Sequence, residues 1–303
     1  MTKEKTYRVA GHTFTFRIEE DSFLWSKAVL PYGPFEVESC SSDHEHVFTL
    51  TVLPDIVSDG GARLVYSNRK DVEPGFILID VYDMAGLWYF ELTCPGSSAV
   101  NCRLVVDMEA KEARMSLHGR DSEKWAIFNS GVDFCFLMTT ACRDTVLTHA
   151  SSVIHEGKAY LFLGKSGTGK STHSRMWLNA LEGVVLMNDD HPVIRLDEDG
   201  NPVAYGSPWS GKTPCYKNMS APLGGIIRIS RAPYNRPRRL SPVEAYASVM
   251  TSCSGMTWDR QLADGRDRTM QGIISRTPCW VMECLPDEDA AHVCSEAVTA
   301  CWK

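Results

Sequence analysis

What the chain lacks narrows it first. No apolar run reaches the ~20 residues of a membrane-spanning helix, so no membrane partner is expected. The opening Met1-Thr2-Lys3-Glu4-Lys5-Thr6-Tyr7 is polar and holds no apolar leader segment, which points to a cytoplasmic location. Basic charge is not in excess: Lys+Arg number 31 against 38 Asp+Glu, for a net charge of −7, so general nucleic-acid binding is not expected. The 11 cysteines include no C-x-x-C pair and no zinc-ligand spacing. Several lie in apolar runs such as Phe134-Cys135-Phe136-Leu137, the setting of buried, reduced thiols. The Asp43-His44-Glu45-His46 cluster reads as a polar loop or strand edge in preference to a metal site. Internal repeats and low-complexity tracts are absent.

A hydrophobic share of 44% over 303 residues supplies a proper core and length for two domains or one large one. Residues 1–120 read as a β-rich accessory domain. Tyr7 to Ile18, Val47 to Leu53, Phe76 to Tyr82, Leu87 to Leu92 and Cys102 to Val106 have strand patterns, with turn signals such as Glu73-Pro74-Gly75 between them. An antiparallel sheet or small barrel is expected, with no catalytic constellation. Residues 121–303 form the second domain, and 121–143 look helical.

The second part holds the chemistry. Gly164-Lys165-Ser166-Gly167-Thr168-Gly169-Lys170-Ser171-Thr172 is a complete G-x-x-x-x-G-K-S phosphate loop, led in by an apolar strand and followed by a helical pattern. Glycines let the backbone turn its N–H groups inward at a phosphate, and the helix that follows adds its positive end. In this motif Lys170 reaches the β- and γ-phosphates and the Ser171 hydroxyl ligates Mg²⁺. The expected ligands are therefore ATP or GTP and Mg²⁺.

Upstream, a two-residue turn at Glu156-Gly157 makes a hairpin whose register brings His149 opposite Gly164. His149 then either steadies a phosphate, exchanges a proton with carboxylates, or is a satisfied core histidine. Downstream, 170–182 is an amphipathic helix with His173 in its apolar face, read as structural. The short strand Val184 to Met187 ends in Asn188-Asp189-Asp190, placing two carboxylates at a strand end. One of Asp189 and Asp190 would hold Mg²⁺ and the other accept a proton from an attacking hydroxyl, or one simply caps a turn. Because neighbours on an extended strand point to opposite faces, both serve one site only if the strand end is irregular. A second hairpin at 193–205 makes a mixed sheet the expectation.

Two other segments attract notice. Gly206 to Thr213 is a second Gly/Ser loop in which Lys212 would touch a phosphate and Trp209 stack on a base, or it is a plain surface loop. Arg228, Arg231, Arg236, Arg238 and Arg239 crowd one stretch, either as a solvated basic turn or as a dock for an acidic partner; Arg228 or Arg231 would point into the site.

The ordered set Thr148-His149-Ala150-Ser151-Ser152-Val153, Gly164 to Ser171 and Asn188-Asp189-Asp190 resembles the C-terminal domain of the HPr kinase/phosphorylase family, itself similar to phosphoenolpyruvate carboxykinase in its nucleotide-binding core. The resemblance covers roughly residues 145 to 300. It implies an α/β fold (α+β overall) with a mixed-sheet P-loop domain behind the β-rich one. It also implies His149 near the transferred phosphate, Mg²⁺ at Asp189 and Asp190, and a homo-oligomer. The family's E-x-R-G signature is absent, Pro222 to Arg228 occupying that region. The first domain does not resemble that of HPr kinase, so a divergent member with another acceptor is expected. The resulting expectation is Mg-assisted phosphoryl transfer to a hydroxyl on a protein, peptide or small molecule, by Lys170, His149, Asp189 and Asp190. The alternatives are a nucleotide-hydrolysing switch and a non-catalytic nucleotide-binding module that recruits a partner.

Overall fold

The computed structural model describes residues 1–38, 45–57, 61–70, 72, 75–211 and 213–302. It is a mixed α/β protein with two mixed sheets, in two compact units: Met1–Thr140 with Met256–Arg260, and Ala141–Gly255 with Gln261–Lys303. Among the described residues, no helix is long and apolar enough to cross a membrane.

Unit 1 is built on strands β1 (Thr2–Val9), β2 (His12–Glu19), β3 (Glu36–Val37), β4 (Glu45–Leu53), β5 (Arg63–Ser67), β6 (Leu78–Met84), β7 (Leu87–Thr93), β8 (Cys102–Asp107) and β9 (Glu112–Leu117), in the order β3-β1-β2-β4-β9-β8-β7-β6-β5. The antiparallel sheet or barrel expected from the strand patterns is corrected here. β4 runs parallel to both β2 and β9, and the sheet ends in two edges. Between β2 and β4 the chain passes through helix α1 (Phe23–Tyr32) and the short β3 beside β1, a long connection in place of a tight hairpin, as parallel strands require.

The helix α2 (Asp121–Thr140) packs on β4, β8 and β9 and belongs to this unit, so the division falls at the end of that helix whereas the expected boundary stood at its start. A Cβ on Gly131 would strike Met115, which lets α2 lie close to the sheet. Phe14 and Phe48 stack with ring centroids 5.1 Å apart, and Tyr7, Phe16, Tyr32, Phe128 and Phe136 complete a fully buried aromatic core. Of the metal-cluster candidate, Asp43 and His44 lie outside the described residues. His46 sits on β4 against the Thr49 hydroxyl, and burial lowers its pKa.

Unit 2 contains β10 (Thr145–Leu147), β11 (Ala150–His155), β12 (Lys158–Leu163), β13 (Val185–Asn188), β14 (Val193–Leu196), β15 (Pro202–Tyr205), β16 (Ser220–Arg231), β17 (Arg236–Arg239) and β18 (Cys279–Cys284). Their order is β10-β14-β15-β16-β12-β11-β13, with β18 pairing with β16 and with β17. β12, β16 and β18 are parallel and the remaining pairs antiparallel, as the two hairpins suggest. The β11–β12 hairpin turns at Glu156 (φ 47°) and Gly157 (φ 74°), the left-handed pair of a type I′ turn. This fixes His155 opposite Lys158 and Ala150 opposite Leu163, the register counted from the sequence.

β12 is buried on both faces. Leu161 and Leu163 meet Val249, Met270 and Ile273 on one side, where α4 (Pro242–Met250) and α5 (Arg260–Arg276) lie. Tyr160 and Phe162 meet Trp177, Ala291 and Val298 on the other, where α3 (Lys170–Ala180) and α6 (Glu288–Thr299) lie. Continuous apolar runs are what a strand sandwiched between helix layers requires. The ten described cysteines are all free, and only Cys142 and Cys301 are exposed.

Candidate active site

One edge of the second sheet gathers the groups singled out in the sequence. β12 ends at Leu163, β11 begins at Ala150 opposite it, and β13 ends at Asn188, paired with Ser152. The phosphate loop, His149 and the two aspartates therefore all emerge at that edge.

The loop has the conformation its composition predicts. Gly167 (φ 77°) and Gly169 (φ 113°) adopt left-handed backbone, and a Cβ on Gly164 would strike the Thr168 hydroxyl. Thr168 closes the turn through its amide and hydroxyl, which donate to the Lys165 carbonyl at 3.1 and 2.7 Å. Gly169 is the N-cap of α3, and no side chain caps the first-turn N–H groups, the arrangement that suits an anion. Lys170 Nζ donates to the Gly164 carbonyl at 3.0 Å. Burial lowers its pKa, opposed by the charges of Asp190 and Asp189.

The irregular strand end that two working aspartates require is present, for Asp189 and Asp190 lie in a bend beyond β13. Their surroundings differ. Asp189 is buried, and its Oδ1 accepts from the Ser151 hydroxyl at 2.6 Å; Ser151 Oγ is in turn 2.5 Å from Ser174 Oγ on α3. Asp190 is half-buried, with Oδ1 at 3.3 Å from His149 Nδ1. Burial and the Lys170 charge lower the His149 pKa, and the Asp190 charge opposes them. The His149 amide donates to Ser252 at 2.6 Å, tying its backbone to the segment after α4.

Residues that sequence reasoning passed over complete the edge. Asn188 holds it: its Nδ2 donates to the Ser207 and Trp209 carbonyls at 3.3 and 3.1 Å, and its Oδ1 accepts from the Asp190 amide at 2.9 Å. The second Gly/Ser loop is thereby pinned against the aspartates, and a Cβ on Gly211 would meet Asp190 Oδ2 at 3.3 Å. Trp209 is buried, which corrects its reading as a base-stacking side chain, and Lys212 lies outside the described residues. His191 is the other omission. It follows the aspartate pair directly, and its ring centroid stands 5.6 Å from that of His149. His149, Asp190 and His191 each offer a ligand atom within 4.8 Å of the others. The expected magnesium ligands Ser171, Asp189 and Asp190 are hard oxygen donors of the kind that ion takes. The hydrogen bonds and ion pair above engage only Oδ1 of each carboxylate.

Most of the arginine run is exposed, as a solvated segment would be, but it is strand and not turn. Arg236 and Arg238 lie on β17 and pair with Glu283 and Glu244 at 2.8 and 2.9 Å. Arg228 is turned to the end of α4, where it donates to Ser248 Oγ at 2.6 Å and Thr251 Oγ1 at 2.8 Å. Arg231 reaches the phosphate loop, donating to the Gly167 and Thr168 carbonyls. His173 is structural as expected: Trp177 Nε1 donates to its Nε2 at 3.1 Å, and burial lowers its pKa to about 4.

No protein-family model matches the sequence, and no curated protein matches it. Among solved structures, the Hpr(Ser) kinase/phosphatase from Coxiella burnetii is similar over 52% of this chain and 95% of its own, at 10% identity and a TM-score of 0.31.

Proposed function

We propose that unit 2 binds a nucleoside triphosphate with Mg²⁺ and transfers its γ-phosphoryl group to a hydroxyl acceptor. The observation that carries this reading is the convergence, at one sheet edge, of an uncapped phosphate loop with Lys170, a buried carboxylate at Asp189 and a half-buried Asp190–His149 pair. Phosphoryl transfer through a loose transition state needs mainly positioning and charge, and this set supplies both.

The backbone N–H groups of Gly164 to Ser171 bind the phosphates. Lys170 Nζ moves from the Gly164 carbonyl to the β- and γ-oxygens. Ser171 and Asp189 would hold magnesium, which would neutralise charge on the phosphoryl oxygens. Asp189 is fixed by Ser151 and Ser174 and keeps one orientation. Asp190, on the open side beside His149, accepts the acceptor's hydroxyl proton, and His149 steadies the carboxylate or passes the proton on. The acceptor oxygen bonds to phosphorus as the bond to the β-phosphate breaks, leaving a nucleoside diphosphate.

Calorimetry with ATP and MgCl₂, followed by ADP release with serine peptides and polyols as acceptors, tests the reading. Binding that is lost in Lys170→Ala, and kept without turnover in Asp190→Asn, supports it. No magnesium-dependent uptake, or full turnover in Asp190→Asn, sinks it. Fast ADP release without any acceptor makes the chain a hydrolytic switch, and tight binding without turnover a recruiting module.

A further inference from the structure

Away from the phosphate loop, unit 2 carries a cavity of about 490 Å³. It lies where the end of α5 meets the start of α4 and the turn that leads into β18. Cys279, the first residue of β18, is part of its wall. β12, β16 and β18 run parallel, so the cavity opens at the starting end of β18, whereas the phosphate loop follows the finishing end of β12. Among the described residues, none that lines it belongs to the phosphate loop, to α3 or to the aspartate bend.

Leu240, Pro242, Ala245, Ile274 and Pro278 make most of the lining apolar. Ala245 and Cys279 belong to the buried core on this side of the sheet, and Leu240 and Ile274 pack against it. The size and the apolar walls are those of a small-molecule site, which also needs a few polar groups to orient its ligand.

Arg239 supplies one. Among the described residues that line the cavity it is the one cation. Its neighbours on β17 are engaged: Arg236 by Glu283, and Arg238 by Glu244, which is also held by Ser241. Arg239 is exposed and holds no carboxylate among the described residues. Its charge is felt at the cavity wall. The Cys279 thiol donates to the carbonyl of Thr277, another lining residue, at 3.5 Å. Burial pushes that thiol up to about 12 and the Arg239 charge opposes the shift, which puts the guanidinium within electrostatic reach of this wall. A guanidinium is a fork of donors that matches a carboxylate two bonds at a time.

We infer that this cavity binds a small organic carboxylate with an apolar body, the body against Leu240, Ile274 and Pro278 and the carboxylate on Arg239. A polyanion is disfavoured, because no second cation on the lining would meet its further charge and the chain as a whole carries −7. A neutral ligand would leave the guanidinium unused. The site shares no residue with the triphosphate cradle and stands or falls independently of it.

Calorimetry on the full chain compares 2-naphthoate with its uncharged counterpart 2-naphthylmethanol. The wild type is expected to bind the acid at least fivefold more tightly than the alcohol. Arg239→Gln is expected to weaken the acid about fivefold and to leave the alcohol within twofold, so that the preference disappears. Ser275→Trp, at an exposed position on the lining, is expected to weaken both about tenfold by filling the cavity. Both substitutions are at exposed residues, and thermal melts check that the variants fold. Equal wild-type affinity for acid and alcohol, a preference that survives Arg239→Gln, or binding untouched by Ser275→Trp overturns the assignment. So does the absence of saturable binding of either compound.

Discussion

In unit 1 the buried Asn101 accepts from the Cys94 amide and donates to the His118 carbonyl, so both of its bonds go to main chain and close a turn. In unit 2 the buried Asn188 bonds to the Ser207 hydroxyl as well as to main chain, and the residue that follows it, Asp189, accepts from Ser151, whose Oγ is 2.5 Å from Ser174 Oγ. The first residue secures a local fold. The second closes the strand end beside a separate cluster of buried polar side chains, Ser151, Asp189 and Ser174, and such a cluster is favourable only when every member is satisfied. Unit 1 fills its core with aromatic rings, and its Lys5–Glu36 and Arg17–Glu4 ion pairs stay in contact with solvent. Unit 2 brings the buried Ser151, Ser174, Asn188, Asp189 and Ser207 to one sheet edge. The contrast teaches that convergence of polar side chains, more than their burial, marks the chemical site.

The comparison breaks or sharpens at several points. Phe14→Ala removes a fully buried ring of the unit 1 core and is expected to cost about 3–5 kcal/mol, read by denaturant unfolding with hydrogen exchange to localise the loss to unit 1. Equal loss of protection in unit 2 would show that the two cores are not distinct in energetic terms.

Acidification is expected to act on unit 2. The folded pKa of His173 lies at about 4, below its ordinary value of 6.5, so the unfolded chain binds the proton first. The stabilisation is fully present above about pH 6.5 and fades as the pH falls towards 4, by up to about 3 kcal/mol. Denaturation midpoints of wild type and His173→Gln across that window measure it, and a flat difference between the two would remove the histidine from the account.

Lys170→Ala is expected to weaken ATP binding about a hundredfold, near 2.7 kcal/mol, with an unfolding midpoint close to wild type. A large fall in stability with binding retained would make the lysine a structural residue like those of unit 1. The smallest effect is expected at Ser241, the N-cap of α4 in a reciprocal capping box with Glu244. Ser241→Ala should cost about 1 kcal/mol of stability, seen in thermal melts, and leave nucleotide affinity within twofold.

Legibility in the sequence followed the range of the interactions. The Glu156-Gly157 turn is local, and counting from it gives the β11–β12 register that the structure has. The parallel pairing of β2 with β4 depends on a crossover helix that the strand-like patterns concealed, and α1 ends in Pro31-Tyr32, which further hides it. Helix α5 escaped for another reason. Its close approaches are made by Gly265 against Ala141 and Gly272 against Leu196, so small residues stand where a periodic apolar stripe would have shown. The network around Asp189 joins Ser151, Ser174 and Asp189 from three separate segments, and no spacing rule connects them. His191 carried a faint signal, as a third ionisable group in the run Asp189-Asp190-His191.

The bend at Glu156 and Gly157 lies at the opposite end of its hairpin from the cradle, about 20 Å away at the usual rise per strand residue. Lengthening it by one amino acid would slide β11 along β12 and exchange that strand's two faces. Ser151 would swing away from Asp189, and the imidazole of residue 149 would lose its station. Insertions and deletions at this remote, chemically plain corner would therefore scatter the ionisable groups as surely as substitutions among them.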